Sequence, residues 1–499
     1  MPTQVLELLV KKLGLAGPGL ASALLLCLAC PPVNLGLLSF VALVPWLLAV
    51  RKLDQKQARR SGFWFGLFFF GYQMFWLVPF VGRWTGSMAL GLIPYAIVWA
   101  AYLPYFVLLG WMCQRAYALN RGWAIPLIWA SVEIIRTFIP IAAIPTGFLA
   151  QPLWVLPQLT QSAAYGTILL TGAIVAWVNC LISDLFVGIK PRAAIMQVSI
   201  ILTIFMASFA RWASPNEGPK RVFSIAQLGV DLAFGEQATE PIRVAEAMKI
   251  ISPRVEMQAP DLLILPEGMS RRTSMKPESP DFQVPFNIKY SYGLQRGSSP
   301  AYQSVGAFDG ETTQFSDKAR LVAFGEYVPF RGLLSFAGEF KLPQGDLSPT
   351  QKTNIITFKD FRFGTVLCFE AMFPDVAIYK TNLGAQFLTV HSIDDWYLDS
   401  PLGEQLLALS AFRAVENGIP LLRSASLGNT AAFDSRGNMK MHLPMYEQAV
   451  ARVEMPIPAG SDAFRQRLLF PPLCIVFVIL SLGIKPKVPK SESKGLNKK

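Results

Sequence analysis

Apolar residues run in blocks along the first two-fifths of the chain. Seven runs, at roughly 14–31, 34–50, 62–82, 87–113, 122–139, 164–187 and 194–210, are separated only by short polar segments. Several reach the ~20 residues that carry an α-helix across a bilayer, and the shorter ones approach it once flanking residues are added. The first run has no clear small-residue cleavage site and another follows directly, so a removable leader is not expected. At 211 the pattern changes to a long polar region that ends near 466. An eighth run, Leu468–Ile484, and a Lys-rich tail close the chain.

Within the polar region, short apolar stretches alternate with helix-like segments. Val222–Leu228, Asp261–Leu265, Ile355–Phe358, Phe363–Leu367, Gln386–Val390, Leu421–Ser424, Thr430–Phe433 and Ala449–Val453 read as strands, and Pro241–Ser252 and Gln405–Glu416 as helices. That alternation predicts an α/β layered domain, with mixed pairing where strands crowd together late. Segment 271–316 is rich in Ser, Pro and Gly and reads as a mobile loop.

Charge supplies the topology. The net charge is +12, yet residues 211–466 hold 25 Lys and Arg against 28 Asp and Glu, so the excess lies elsewhere. It sits beside the apolar runs, which excludes a phosphate-binding surface and a nucleic-acid partner. The segments on one side carry 17 basic residues, from Lys11 and Lys12 through Arg51, Arg115 and Lys190 to the tail. The short loops of the other side carry Arg83 alone. The positive-inside rule then places both termini in the cytoplasm and residues 211–466 outside. The expected division is a seven-helix membrane part (1–210), an extracytoplasmic α/β domain (211–466), and a last membrane helix with a cytoplasmic tail (467–499).

Charged residues inside the runs are few. Glu133 and Arg136 stand three apart on one helix face, where they can pair or meet a lipid headgroup. Asp184 is read as interfacial. Cys27-x-x-Cys30 has redox spacing but lies at the end of a membrane helix, so it is read as packing.

Five of the six cysteines lie in apolar runs; Cys368 is the one in the polar region, which therefore has no disulfide framework. It ends the strand-like run Arg-Phe-Gly-Thr-Val-Leu and is followed by Phe369-Glu370. A thiol at a strand end beside a carboxylate suits a nucleophile, although a lone cysteine is more often a small buried hydrophobe. Glu267 ends Leu-Leu-Ile-Leu-Pro, and Lys318 opens Lys-Ala-Arg-Leu-Val-Ala-Phe-Gly-Glu-Tyr-Val-Pro. Acyl transfer through a thiol needs a base and a group to stabilise an oxyanion, and a carboxylate and a lysine can fill those roles. Each is also common as a solvated surface charge.

Leu-Pro-Glu, then Lys-x-x-Leu-Val-x-Phe-Gly-Glu-Tyr-Val-Pro, then Cys-Phe-Glu resemble the Glu–Lys–Cys triad of the nitrilase superfamily. The Phe-Gly-Glu-Tyr-Val-Pro block and the flanking helices narrow the resemblance to the apolipoprotein N-acyltransferase family of the bacterial inner membrane. It extends along almost the whole chain: Gly62-Phe-Trp-Phe-Gly-Leu-Phe-Phe, Trp129–Arg136, and Ala414-Val-Glu through Arg423-Ser all resemble family segments. It implies eight membrane helices, an extracytoplasmic nitrilase-like αββα sandwich and ping-pong chemistry. Cys368 would take an acyl group from a phospholipid and pass it to the α-amine of a diacylglyceryl-cysteine on an apolipoprotein. Glu267 would be the base, Lys318 the oxyanion stabiliser, and Glu326, Glu370 and Phe369 supporting residues. No cofactor or metal is implied, and a monomer is expected.

The chain departs from the family pattern at several positions. Arg320 stands for His, Ala323 for Pro, and Leu406 for the His of a Gln-His pair. Phe369 stands for a common Tyr, Ile393-Asp-Asp-Trp396-Tyr397 for Asn-Asp-Ala-Trp-Phe, and Ser426-Leu-Gly-Asn-Thr430 for Asn-Asn-Gly-Ile-Thr. These positions leave a divergent amidase or an acyltransferase for another amine as the alternative. A cysteine peptidase would need His391 or His442 as base, and a transporter would need more membrane charge.

Overall fold

The computed structural model describes residues 14–483, apart from 140–142, 215–216, 234–239, 277–279, 281, 286–287, 330–345 and 398–399. The tail lysines and Lys11 and Lys12 lie outside the described residues.

Helices coincide with all eight apolar runs. They are α1 (Ala16–Ala29), α2 (Val44–Val50, after a 3-10 turn at Gly36–Phe40), α3 (Gln55–Met74), α4 (Leu77–Thr85), α5 (Met88–Ala118), α6 (Ile125–Phe138), α7 (Ala163–Val187), α8 (Pro191–Ala213) and, at the far end, a helix over Phe470–Gly483. By length and composition α5, α7 and α8 can cross a membrane, and α3 with α4, bent by 44° at their junction, has the length and composition for a broken span or a re-entrant loop. Asp54 starts α3 with a capping box, accepting from the Gln57 amide at 2.8 Å while Gln57 accepts from its own amide at 3.2 Å. Small residues let α3 and α5 touch backbone to backbone. A Cβ on Gly62 would fall 2.2 Å from the Phe106 carbonyl oxygen, and one on Gly110 2.3 Å from that of Ala58.

Glu133 and Arg136 do not pair as expected. Glu133 Oε1 accepts from the Trp129 indole at 3.0 Å and the Leu149 amide at 2.8 Å, while Arg136 donates to the carbonyls of Thr146 and Gly147. Both side chains hold the irregular 146–149 backbone, whose own polar groups have no helix to satisfy them. Asp184 pairs with Arg51.

The rest is a layered α/β body. It contains β1 (Lys220–Gln227), α9 (Glu240–Gln258), β2 (Leu262–Ile264), β3 (Ser270–Arg272), β4 (Tyr290–Arg296), β5 (Tyr302–Phe308), β6 (Thr313–Asp317), β7 (Ile356–Thr357) and β8 (Arg362–Leu367). After them come α10 (Pro374–Asn382), β9 (Phe387–Ser392), α11 (Pro401–Asn417), β10 (Leu421–Ala425), β11 (Ala431–Phe433), β12 (Met439–His442) and β13 (Ala449–Pro456). Phe470–Gly483 is α12. One sheet runs β13-β1-β2-β4-β5-β6 with β3 on β4, and the other β12-β11-β10-β9-β8-β7. In each, the central parallel pairs are flanked by antiparallel ones.

The sheets face each other across a core of Phe223, Ile225, Leu262 and Ile264 from the first and Phe363, Phe387 and Leu422 from the second. The outer face of the second buries Val366, Leu388 and Val390 against Ala377 of α10 and Leu407 and Ala411 of α11. The order helix–sheet–sheet–helix is the expected αββα sandwich.

Segment 271–316 is not a loop. It contains all of β4 and β5 and most of β6, and its strands run down the centre and one edge of the first sheet. Serines and glycines masked the alternation, and close packing explains them. A Cβ on Gly293 would fall 2.4 Å from the Cα of Glu267, and one on Gly306 2.9 Å from the Tyr292 ring. The polar groups are also satisfied internally, with Arg296 paired to Asp317 at 2.7 Å.

Candidate active site

Three strand ends converge. Glu267 follows β2, Lys318 follows β6, and Cys368 follows β8, so two come from one sheet and the third from the other. Lys318 Nζ lies 2.6 Å from Glu326 Oε1 and 3.7 Å from Glu267 Oε1. None of the four side chains is more than 5% exposed. Glu326 turns its other oxygen to the Val322 amide at 2.9 Å, so it fixes the lysine from a closed turn.

Cys368 stands at φ 46°, the left-handed region, on a sharp exit from β8. Glu370 sets that exit. Its Oε2 accepts from the Leu367 amide at 3.0 Å, and its Oε1 accepts from the amides of Ala319 and Arg320 at 2.7 and 3.0 Å. One carboxylate therefore ties the turn bearing the thiol to the turn bearing the lysine. Phe369 packs edge-on against Phe373, with ring centres 5.6 Å apart.

The electrostatics follow from burial and an uneven charge count. Burial raises the Glu267 pKa to about 7; Lys318 pulls it down, and Glu326 pushes it up. Burial opposes the Lys318 ammonium, but Glu326 and Glu267 outweigh that and hold it charged. Burial pushes the Cys368 thiol up to about 12, and Glu267 adds to this while Lys318 opposes it. Near neutral pH the cluster thus holds a protonated thiol, a lysinium and a carboxylate able to take a proton. The Oε1 atom of Glu267 makes no hydrogen bond among the described residues.

Other candidates fall away from this point. His391 is buried, with Nδ1 2.6 Å from the Leu265 carbonyl and Nε2 3.0 Å from Thr389 Oγ1, and burial lowers its pKa to about 4. It is a packed neutral imidazole, which removes the peptidase arrangement. His442 lies on β12. Cys27 and Cys30 are free thiols. A cavity of about 570 Å³ between α6, α7 and α8, lined by Trp123, Tyr165, Trp177 and Arg211 among others, includes none of the cluster.

The site meets the membrane helices at the bend between α3 and α4. Trp76 and Phe80 pack on the Tyr397 ring at 5.8 and 6.4 Å, and Arg83 donates to the Asp395 carbonyl at 2.8 Å.

Comparison with known proteins gives two family matches. "Apolipoprotein N-acyltransferase N-terminal domain" covers residues 22–181, and "Carbon-nitrogen hydrolase" covers residues 298–458. The chain is similar to apolipoprotein N-acyltransferases along most of its length. A curated apolipoprotein N-acyltransferase from Geobacter metallireducens is 25% identical over 491 residues, 89% of this chain and 90% of its own. One from Pseudomonas putida is 24% identical over 462 residues, covering 85% and 87%. One from Aquifex aeolicus is 25% identical over 435 residues, covering 84% and 94%. Among solved structures, Saccharomyces cerevisiae Nit3, of the nitrilase superfamily, is similar over 55% of this chain and 98% of its own, at 16% identity and a TM-score of 0.36.

Lys318 and Cys368 lie inside the carbon-nitrogen hydrolase match, and Glu267 lies ahead of it. The departures from the apolipoprotein N-acyltransferase pattern have defined places. Arg320 pairs with Asp375 at 2.6 Å and stacks 5.2 Å over Phe373. Ile393 packs against Gly268, where its Cδ1 would meet an added Cβ at 2.8 Å. Leu406 is buried in the core beside Gln405, which bonds Thr146 at 2.7 Å and Gln73 at 2.8 Å. Ala323 makes a bridge with Tyr327. Sequence reasoning passed over Tyr397 as a site residue, although its hydroxyl lies 3.8 Å from Cys368 Sγ. Its signal was a hydroxyl appearing where the family pattern has Phe.

Proposed function

We propose that this chain moves an acyl chain from a phospholipid to the α-amine of the diacylglyceryl-cysteine of apolipoproteins, through a thioester on Cys368. The observation that carries this is the convergence of Glu267, Lys318 and Cys368 in one buried cluster beside a bent membrane helix. Glu267 takes the thiol proton as sulfur attacks the ester carbonyl. Lys318 stabilises the oxyanion. Collapse breaks the carbon–oxygen bond, and Glu267 returns the proton to the departing lysophospholipid. The acceptor amine then attacks the thioester, its proton passes to Glu267, and the thiolate leaves. Glu326 and Glu370 act as positioning residues, the first on Lys318 and the second on the two turns.

Ping-pong order suits two large amphiphiles that must use one thiol in turn. Residues 1–210 are a seven-helix membrane part, 211–466 the catalytic part facing outside, and 467–499 the closing helix and cytoplasmic tail, acting as a monomer in the bacterial inner membrane. Arg51–Asp184, with Arg115 and Arg121 on the Leu482 and Ser481 carbonyls, supports a basic end opposite Arg83 and the sheets.

Purified protein given labelled phospholipid and no acceptor should retain hydroxylamine-sensitive label, and Cys368→Ala should retain none. A diacylglyceryl-cysteine peptide should then discharge the label onto its amine. Label persisting in the alanine variant refutes the nucleophile; label that never transfers favours the alternative amine substrate. A reporter fused at the tail should be active only in the cytoplasm, and one inserted near 280 only outside.

A further inference from the structure

The reaction leaves one charge only partly offset by its neighbours. When the amine expels sulfur from the thioester, a thiolate forms in a pocket where burial strongly disfavours it. Lys318 is shared by two carboxylates and sits 2.6 Å from Glu326.

Two hydroxyls lie near the sulfur. Ser392 Oγ donates its proton to Asp394 Oδ1 at 2.7 Å, while Arg423 donates to that same Oγ at 3.2 Å. Asp394 is itself held by Arg423 at 2.6 Å, and Ser392 eases the thiol's ionisation only in part. Tyr397 differs. Among the described residues, Cys368 Sγ is the sole hydrogen-bond partner of its hydroxyl, at 3.8 Å. Its backbone amide donates to the Asp394 carbonyl at 2.8 Å. Trp76 and Phe80 brace the ring from the membrane side.

We propose that Tyr397 is a catalytic hydrogen-bond donor that stabilises the Cys368 thiolate, chiefly as the leaving group when the acyl chain moves to the amine. As a thiol, sulfur can give or receive this bond. Once the proton has left, Tyr397 alone can donate. Burial and the neighbouring Cys368 push the phenol far above its ordinary range, so it keeps its proton throughout. The inference rests on Cys368 as nucleophile. The family pattern has Tyr after the cysteine and Phe at 397; here Phe369 and Tyr397 reverse that order.

Tyr397→Phe removes one oxygen and keeps the ring. Two rates decide the matter. The first is alkylation of Cys368 by iodoacetamide between pH 7 and 9, followed by mass spectrometry of the Cys368 peptide. The second is discharge of the preformed thioester to a diacylglyceryl-cysteine peptide. Both should fall about tenfold to a hundredfold, the range for one hydrogen bond to a charged group. The thermal midpoint should not move. Wild-type rates for either step overturn the proposal, as does a loss that follows a lowered thermal midpoint. Alkylation reads the tyrosine–sulfur contact whether or not Cys368 carries the acyl group. Failure of the nucleophile itself would show separately, as label persisting in Cys368→Ala.

Discussion

Two of the buried cation–carboxylate pairs in the α/β body are built in opposite ways. On α11, Arg413 and Glu416 are both fully buried and close on each other at 2.7 Å. Arg413 also donates to the carbonyls of Ala371 and Met372, and Glu416 accepts from the Ile168 amide at 2.7 Å, where α7 is broken at Gly166 and Thr167. That pair is closed, and it fastens the turn after the nucleophile to a membrane helix. Lys318 and Glu267 are as deeply buried but stand 3.7 Å apart, with Glu326 taking the lysine. Burial raises the proton affinity of both carboxylates, and in the open pair the lysine does not close on the one that is to take a proton. A buried pair that only holds the fold is drawn tight; one that works on a proton is kept apart.

The largest expected effect breaks the open pair. Glu267→Gln and Lys318→Arg should each lower acyl transfer by at least the ~10²–10⁴-fold typical of general acid–base groups. Gln cannot take a proton, and Arg replaces a compact ammonium by a planar fork. Both variants should still insert and unfold cooperatively, so activity per folded molecule is the measurement; near-normal turnover in either removes the triad.

Breaking the closed pair should act on stability instead. Glu416→Leu leaves Arg413 buried and unpaired, which costs about 3–5 kcal/mol, read as a lowered thermal midpoint in detergent. The double variant with Arg413→Met should recover much of that loss, because an apolar replacement leaves no charge stranded. A double variant no better than the single would mean that the contacts to Ala371, Met372 and Ile168 matter more than the pair.

The smallest effect is a pH dependence. Burial lifts the Glu267 pKa to about 7, so the base is protonated below that value and available above it. Thioester formation should therefore rise about tenfold per pH unit below 7 and level off above it. A plateau already reached at pH 5.5 would place Glu267 in an ordinary carboxylate range and remove it as a base poised near neutral pH.

Much of this was legible in the sequence where chemistry and hydrophobic pattern coincide. Apolar runs ending in Glu267 and Cys368 are strands that deliver side chains, and they read as such. The strands β4–β6 did not, because Gly293 and Gly306 are chosen for close approach and not for alternation. Glu133 and Arg136 read as partners by spacing, yet each turned to backbone groups that no helical pattern could anticipate. Tyr397 stayed hidden because its meaning lies in a contact across 29 residues.

The conformation at Cys368 has a consequence for the history of the chain. A side chain at φ 46° costs about 1–2 kcal/mol against glycine, which adopts that geometry freely. A gene copy released from selection for acyl transfer would be free to relieve that backbone strain by drifting to glycine at 368. The strained backbone there is kept with a side chain that needs it only for the chemistry, so a lineage that retains cysteine at 368 is one in which selection still holds the thiol in place.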